Sequence, residues 1–440
     1  MKAGFRKGGI HPPQCKTASR DIELLPLPRT ATVLLSQHIG RPAEPIVTRG
    51  QHVARGEMIA RNPAFVSASL HAPISGTVTA VDSVEGANGK PAPAIVIKAD
   101  DADHEGDTAA REKYWRELVP GVTDRDLDTS LSADEIRSRI SRAGIVGLGG
   151  ALFPSHVKLA VKDGQTPEVL IINGCECEPY LMCDDALMCR YPARIMEGVE
   201  LMMKASGAPR AVVAVEDNKP EAIAALTAAL DPAYAISVLP LRTKYPQGGE
   251  KQLVEAVTGR RIASGALPLS VGAIVNNVAT AFAVWQAVAT DMPLIERTVT
   301  VTGDIPEAER RNWLAAVGTP VSELPFTAPE AARVLSGGPM MGRAMVCLDA
   351  PVTKGTSGIT VLAAVPRPKV QACLRCGACV DVCPMGLEPY LLATYGRLRR
   401  WDDAREALAA DCIECGSCSY TCPSGRPLLD YIRIAKQFSK

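Results

Sequence analysis

Apolar and polar positions follow three rhythms along the chain. From about Leu27 to Ala99, short runs rich in valine, isoleucine, glycine and proline alternate in the manner of half-buried strands. A charged stretch from Asp100 to Asp128, containing glycine and several aspartates, interrupts them and reads as an exposed connection. From Ser132 to about Ala289, apolar runs alternate with helix-like segments. Ser132 and Glu135 form a capping box that opens a helix through Arg142. Glu168–Ile172, Ala211–Val215 and Ile236–Leu239 read as strands, and Glu221–Leu230 and Thr280–Ala289 as helices. Strands interleaved with helices predict an α/β unit. The alternating run that starts at Arg297 opens a small β-containing unit, and Pro366-Arg-Pro368 marks a linker. The expected fold class is therefore multidomain α/β. It comprises an N-terminal segment (1–26), a β unit (27–100), an α/β unit (130–296), a small β domain (297–365) and a C-terminal region (366–440).

Composition changes this picture in two places. Lysine plus arginine equals aspartate plus glutamate at 48 each, and no basic block stands out, so the footprint of a nucleic-acid binder is missing. The richest apolar stretch, Leu267 to Thr290, is broken by Asn276, Asn277 and Gln286, short of the roughly 20 residues a spanning helix needs. The first residues are polar and carry no secretory pattern, which points to a soluble, cytoplasmic chain. Thiols in a chain of this size stay reduced there, so the fourteen cysteines favour metal over disulfides.

Eight of them lie between Cys373 and Cys422. Cys373, Cys376, Cys379 and Cys383 precede Pro384, and Cys412, Cys415, Cys418 and Cys422 precede Pro423, each run spaced C-x2-C-x2-C-x3-C-P. Three thiolates of such a run wrap one face of a 4Fe–4S cubane, and the fourth ligates the partner cluster. The spacing thus assigns Cys373, Cys376, Cys379 and Cys422 to one cluster, and Cys412, Cys415, Cys418 and Cys383 to the other. The small residues Gly377, Ala378, Gly416 and Ser417 let backbone amides approach the sulfides. Zinc knuckles use paired C-x2-C motifs, but a doubled four-cysteine run with proline after each is poorly explained by zinc.

Four further segments are weak singly. Gly144, Gly147, Gly149 and Gly150 crowd the loop after the capped helix, where backbone amides can close on a phosphate or a flat ring. This is not the dinucleotide fingerprint, since no strand leads straight into it, and a plain turn is the rival reading. Asn173-Gly-Cys-Glu-Cys-Glu178-Pro follows a strand, at the edge where α/β folds bind ligands. Tyr245-Pro-Gln-Gly-Gly-Glu250 is a second glycine turn. Asn276-Asn277-Val-Ala-Thr280 places amides and a hydroxyl at a helix start, where simple N-capping is the default. Cys175, Cys177, Cys183 and Cys189 suggest a further cluster by number, with buried free thiols the rival and commoner reading; Tyr180 and Tyr245 fit core positions as well as ligand neighbours, and Met202, Met203, Met340 and Met341 are core or turn residues.

Together these segments resemble the flavin- and NADH-binding subunit of respiratory complex I. The resemblance implies FMN enclosed by Gly147, Gly149, Gly150, Lys158, Asn173, Glu176, Asn276, Asn277 and Thr280, with Phe153 and Glu250 meeting the nicotinamide nucleotide. The chain departs from that pattern at Leu152, where the family has glycine, at Cys175, where it has aspartate, and at Gly249, where it has glutamate. The opening Gly8-Gly-Ile-His-Pro-Pro-Gln-Cys-Lys16, followed by a flavin unit and a two-cluster ferredoxin unit, is similar to the C subunits of Rnf-type ion-translocating electron transport complexes. Segments around Val47–Ile59 and His71–Val78 resemble the hairpins of a biotinyl/lipoyl barrel-sandwich without an attachment lysine, so that unit is structural or docking. The 297–365 unit is then SLBB-like, and 366–440 a helical two-cluster ferredoxin domain. The kinship further implies a peripheral electron-input subunit on the cytoplasmic face of the cell membrane. It would exchange electrons between NAD(H) and, indirectly, ferredoxin through FMN and two 4Fe–4S clusters, with membrane-embedded subunits and an iron–sulfur subunit as partners. The rivals are a cobalamin- or hydrogenase-type reductase, against which the Gly8–Lys16 segment argues, and an iron–sulfur scaffold without flavin.

Overall fold

The computed structural model describes residues 3–118, 130–161, 164–364 and 369–439. The Pro366–Pro368 linker and the end of the Asp100–Asp128 stretch fall outside them. A short strand β1 (Ile22–Leu24) precedes seven strands that form two sheets. These are β2 (Thr30–Leu34), β3 (Glu44–Pro45), β4 (His52–Val53), β5 (Met58–Arg61), β6 (Leu70–His71), β7 (Gly76–Glu85) and β8 (Pro91–Lys98). One sheet runs in the order β2-β8-β7-β4 and the other β3-β5-β6. Alternate residues such as Ala31, Val33, Ile95 and Ile97 point into the space between them and are buried with Val53, Ile59 and Leu70. The strands expected from period-two alternation are present, and their packing is the barrel-sandwich that the resemblance implies.

The stretch after Asp100 is not a loop. Residues Asp101–Glu117 form helix α1, capped by the Asp100 carboxylate, which accepts from Asp103 N. Its composition is polar nearly all round and it buries only Arg111 and Trp115, so no apolar stripe announces it. Those two side chains hold it. The Trp115 ring lies 5.8 Å from Tyr191 and 6.2 Å from Phe282. The Arg111 guanidinium pairs with the buried Glu296 carboxylate and donates to the carbonyls of Leu25 and Leu314. Glu296 also takes Arg55 at 3.1 Å and Trp115 Nε1 at 2.9 Å. Burial opposes its charge, but Arg111 and Arg55 outweigh burial and hold the carboxyl below the usual range. One carboxylate thus ties the barrel, α1 and the β domain together. Glu296→Gln leaves two buried guanidinium groups without a counter-charge and is expected to cost about 3–5 kcal/mol. Calorimetry reads this as a lowered melting transition; an unchanged one would mean the arginines find other partners.

The central unit contains α2 (Ala133–Arg142), α3 (Ser155–Leu159), β9 (Val169–Gly174), α4 (Cys183–Arg190), α5 (Pro192–Ser206), β10 (Ala211–Glu216), α6 (Pro220–Ala228), β11 (Ile236–Leu241), α7 (Glu250–Thr258), β12 (Ala273–Asn277) and α8 (Val278–Ala289). The capping box at Ser132 is present with both reciprocal bonds. The parallel sheet runs β11-β10-β9-β12, and every residue of β10 is buried, as expected for strands covered on both faces. Strand β12 and helix α8 share one apolar run, which hid the strand from a periodicity reading. Helices α4 and α5 are buried on most sides, so they too lack a stripe.

Strands β13 (Glu296–Gly303), β14 (Arg311–Ala316), β15 (Arg333–Ser336), β16 (Arg343–Ala344) and β17 (Gly358–Leu362) join β1 in the order β1-β14-β13-β17-β15-β16. The N-terminal segment therefore supplies an edge strand, parallel to β14, to the small β domain. The C-terminal region is helical: α9 (Ala378–Asp381), α10 (Pro389–Leu398), α11 (Trp401–Glu406), α12 (Ser417–Tyr420) and α13 (Leu428–Phe438), with α10 packed along α13. Among the described residues, no helix is long and apolar enough to cross a membrane.

Candidate functional site: a glycine loop joined to two cysteine sets

The glycine loop leaves α2 and folds back on itself. Gly147 N donates to Phe153 O at 2.8 Å, Leu152 N to Gly147 O at 3.0 Å, and Val146 bridges Pro154. Gly149, Gly150 and Ala151 form the exposed tip. Gly150 has φ +106°, which side chains rarely adopt, and among the described residues nothing lies within 4 Å of where its Cβ would stand. Leu152 takes φ 53° and its side chain fills the space beside Gly355, which is how leucine is accommodated where the resembled family has glycine. The barrel braces this loop. Ile39 N donates to Leu152 O at 3.1 Å, and the buried Lys354 ammonium donates to Ser69 O at 2.9 Å and Gly144 O at 2.7 Å. Burial lowers the Lys354 pKa to about 7.

Two of the other expected residues, Thr280 and Asn277, meet this loop directly. Thr280 Oγ1 accepts from Leu148 N at 2.9 Å, and Gly149 packs against the Asn277 side chain. Asn277 pairs with Asn173 across β12 and β9, caps α8 by accepting from Ala279 N, and donates to Asp184 Oδ2 at 2.6 Å. Asn173 Nδ2 donates to Gly248 O at 2.9 Å, fastening the second glycine turn to the strand end. Glu176, at φ 44°, turns its carboxylate onto the start of α4, accepting from Asp184 N and Asp185 N. Burial, and next the charge of Glu176, push Asp184 up to about 6. Lys158 and Glu250, given separate partners by the resemblance, meet each other at 3.0 Å, with Lys158 also on Val275 O at 3.1 Å. Phe153 is half-buried on the loop's return arm.

A flavin fits this donor set. Asn276 is 4 % exposed, yet neither its amide nitrogen nor its oxygen has a partner among the described residues. A buried amide left wanting both a donor and an acceptor costs free energy unless a ligand supplies them. The edge of a flavin ring, which carries carbonyl and N–H groups together, would do so. The open, left-handed Gly150 would offer the loop's amides to a ring, and the Lys158 ammonium, held by Glu250 and the Val275 carbonyl, a charge to a phosphate.

The cysteine runs repeat in backbone as well as in sequence. Arg375 and Gly377 in the first, and Glu414 and Gly416 in the second, take left-handed conformations before α9 and α12. Helical packing then brings Cys383 to the second run: Cys383, Cys412, Cys415 and Cys418 line one cavity walled by Leu387, Leu392 and Ile432. Burial pushes the Cys418 thiol up to about 12 and Cys412 to about 11, and in both the charge of Cys383 adds to the rise. Thiolates here need a cation, which cluster iron provides. Cys379 likewise feels Cys373 and Cys422, after burial. Each grouping draws its fourth cysteine from the other run, the arrangement crossed ligation requires. Cys175, Cys177, Cys183 and Cys189 go to separate partners: the Ala214 carbonyl, the Gly248 N–H, and the carboxylates of Asp184 and Asp185.

Sequence reasoning missed what joins the two halves. The Tyr245 hydroxyl, on a side chain 1 % exposed, donates to Cys415 O at 2.8 Å. Tyr245 also exchanges backbone hydrogen bonds with Ile10, and Gly9 N donates to Val382 O at 2.8 Å, so the Gly8–Lys16 segment is clamped between glycine turn and cluster region. Farther along it, Lys16 Nζ donates to the carbonyls of Glu176, Glu178 and Leu181. Gln252 Nε2 reaches Met385 Sδ at 3.3 Å. A Cβ at Gly249 would meet the flexible end of the Gln252 side chain at 2.5 Å. The only sequence signal for this seam is the density of glycine and proline in the N-terminal segment.

Comparison with known proteins agrees with this anatomy. Residues 140–286 match the Nuo51 FMN-binding domain, 5–102 the RnfC barrel sandwich hybrid domain, and 369–426 the 4Fe-4S dicluster domain. The chain therefore combines an FMN-binding domain with a two-cluster one. Among solved structures, an NAD+-reducing [NiFe]-hydrogenase chain shares the fold, with a TM-score of 0.52 over 80% of this chain and 74% of that one at 20% identity. The C subunit of the Na(+)-translocating ferredoxin:NAD(+) oxidoreductase complex of Acetobacterium woodii is 40% identical over 99% of this chain and 97% of its own length. The C subunit of the proton-translocating ferredoxin:NAD(+) oxidoreductase complex of Clostridium ljungdahlii is 41% identical over 99% and 94%. Its counterpart in the ion-translocating oxidoreductase complex of Rhodobacter capsulatus is 43% identical over 88% and 74%. With this identity along almost its whole length, the chain belongs to the C-subunit family of Rnf-type ion-translocating oxidoreductase complexes.

Proposed function

We propose that the protein is the peripheral electron-input subunit of such a complex, on the cytoplasmic face of the cell membrane. It exchanges electrons between NAD(H) and ferredoxin, while membrane-embedded partner subunits move the ion. The observation that carries this reading is the Tyr245–Glu250 turn, which touches the strand end of the glycine-loop site at Asn173 and the cysteine loop at Cys415. Bound FMN would supply the exchange of one two-electron hydride for single electrons, and each cluster the storage of one. The chain's own residues supply placement. Gly149 and Gly150 present backbone amides, Gly147 closes the loop onto Phe153 O, Asn276 offers an unpaired amide, Lys158 offers positive charge, and Phe153 and Glu250 flank the nucleotide. No side chain is required as general acid or base.

Anaerobically reconstituted protein is expected to hold flavin near one per chain and about eight irons, and NADH is expected to bleach both flavin and cluster absorption in stopped flow. Iron without flavin would favour the scaffold reading. Zinc in place of iron would overturn the cluster assignment.

A further inference from the structure

We infer that the barrel-sandwich unit completes the nucleotide site: Phe65, with Ile39 beside it, forms an apolar shelf on which the adenine ring of NAD(H) stacks. Phe65 is then a specificity-determining residue that tells a whole dinucleotide from its nicotinamide half. This rests on the proposed function and deepens it, by assigning the part of the substrate that Phe153 and Glu250 leave unheld.

The barrel clasps the segment from Leu152 to His156 at both ends. Ile39 N donates to Leu152 O at 3.1 Å, and His156 Nε2 donates to Phe65 O at 3.0 Å, so Phe153 lies between two barrel contacts. Four residue steps span at most about 14 Å, which keeps Ile39 and Phe65 within reach of one bound dinucleotide. The two barrel loops that carry them are themselves joined. Arg41 N donates to Val66 O at 3.0 Å, and Ser67 Oγ donates to Arg41 O at 2.8 Å. Gly40, at φ +111°, has Val66 O at 2.1 Å from where a Cβ would stand, so only glycine lets the loops meet this closely. The shelf is therefore fixed before a ligand arrives, and little ordering is left for binding to cost.

Its chemistry suits a flat, neutral ring. Phe65 is 62 % exposed and Ile39 52 %, while Phe153 is half-buried between them. The Phe65 ring meets His156 edge to face, with centroids 6.0 Å apart. Burial lowers the His156 pKa, so the imidazole is neutral at physiological pH and adds no charge. Arg41, the charged side chain of the same loop, is paired with Glu44 at 2.9 Å. A single exposed apolar side chain needs no explanation, but two on joined loops, flanking a third at the nucleotide site, form a patch continuous with that site. A dinucleotide separates its two rings by two riboses and a pyrophosphate. With the nicotinamide at Phe153 and Glu250, the adenine lies beyond the loop, where an aromatic face is the surface that a base stacks on.

The test uses the full chain reconstituted with FMN and iron. It is mixed in stopped flow with NADH, and separately with reduced nicotinamide mononucleotide, which lacks the adenylate half. Losing one base–aromatic stack weakens binding about tenfold. Phe65→Ala should therefore raise the NADH concentration for half-maximal bleaching about tenfold, with the limiting rate and the flavin-to-iron ratio unmoved. The half-maximal concentration of the mononucleotide should not rise with it, and Phe65→Tyr should restore NADH. An equal rise for both nucleotides, a rise for neither, or no rescue by tyrosine overturns the proposal. Saturation-transfer NMR with ADP-ribose is a readout that needs no electron transfer. Its adenine protons should saturate in the wild type and fade in Phe65→Ala; equal saturation in the two, or none in the wild type, overturns the proposal. Failure of NADH to bleach the wild-type flavin would instead strike the proposed function, while ADP-ribose binding would still decide whether Phe65 holds adenine.

Discussion

Cys383→Ala is expected to lower the iron of purified protein from about eight to about four per chain, and the cluster lost should be the one built by the other motif. Cys383 stands in the run that begins at Cys373, yet the motif spacing assigns it to the other cluster. Packing agrees with that assignment. Residue Cys383 is 8 % exposed and lines the cavity of Cys412, Cys415 and Cys418, in the core formed by Leu392, Leu428 and Ile432. Its sulfur already accepts from Leu387 N at 3.4 Å, the kind of hydrogen bond that steadies a cluster thiolate. Removing one thiolate from a buried set leaves the other three without their cation, and the small domain folds around its metal, so α10 and α13 should also loosen. EPR of the dithionite-reduced variant tells which set survives. Survival of the Cys412 set with loss of the Cys373 set would establish ligation within each run. The reciprocal variant, Cys422→Ala, should spare the Cys412 set.

How much of this was legible depends on the range of the forces involved. Local chemistry was readable: the Ser132 capping box, the parallel strands and the doubled cysteine spacing each depend on neighbours a few residues away. Helix α1 was not, because its stability comes from Trp115 and Arg111 reaching Glu296, which stands 185 residues along the chain from Arg111, and its own sequence has no apolar face. Strand β12 was masked by sharing one apolar run with α8. The glycine loop was legible as a loop, and its bracing by Ile39, Ser69 and Lys354 was not, since those contacts join distant domains. Lys158 and Glu250 were each picked out, but their pairing was invisible until both were placed. The Gly8–Lys16 segment was useful in sequence only as a mark of kinship; in the fold it is the wedge between Tyr245 and the Cys383 turn.

Gly150→Val is expected to lose flavin and keep iron. The position combines φ +106° with open space on its Cβ side, at the exposed tip of the glycine loop. A β-branched side chain there either strains the backbone or forces the tip into another conformation, at a cost on the order of 1–3 kcal/mol. Because Gly150 itself is exposed and nothing among the described residues lies within 4 Å of its Cβ position, that cost falls on the shape of the loop rather than on folding. A binding penalty of ~1.4 kcal/mol already weakens a ligand tenfold, so the flavin-to-iron ratio should drop by about tenfold or more at equal protein. Iron stays because the cluster domain folds around its own metal. Glu250→Ala separates nucleotide from flavin. Its ion pair with Lys158 is partly exposed, at 24%/43% for the two side chains, and such pairs contribute little to stability. The variant should therefore fold, keep FMN, and be bleached by dithionite but only slowly by NADH. Full flavin in Gly150→Val would place the flavin away from the loop tip, and normal NADH bleaching in Glu250→Ala would remove that carboxylate from the nucleotide site.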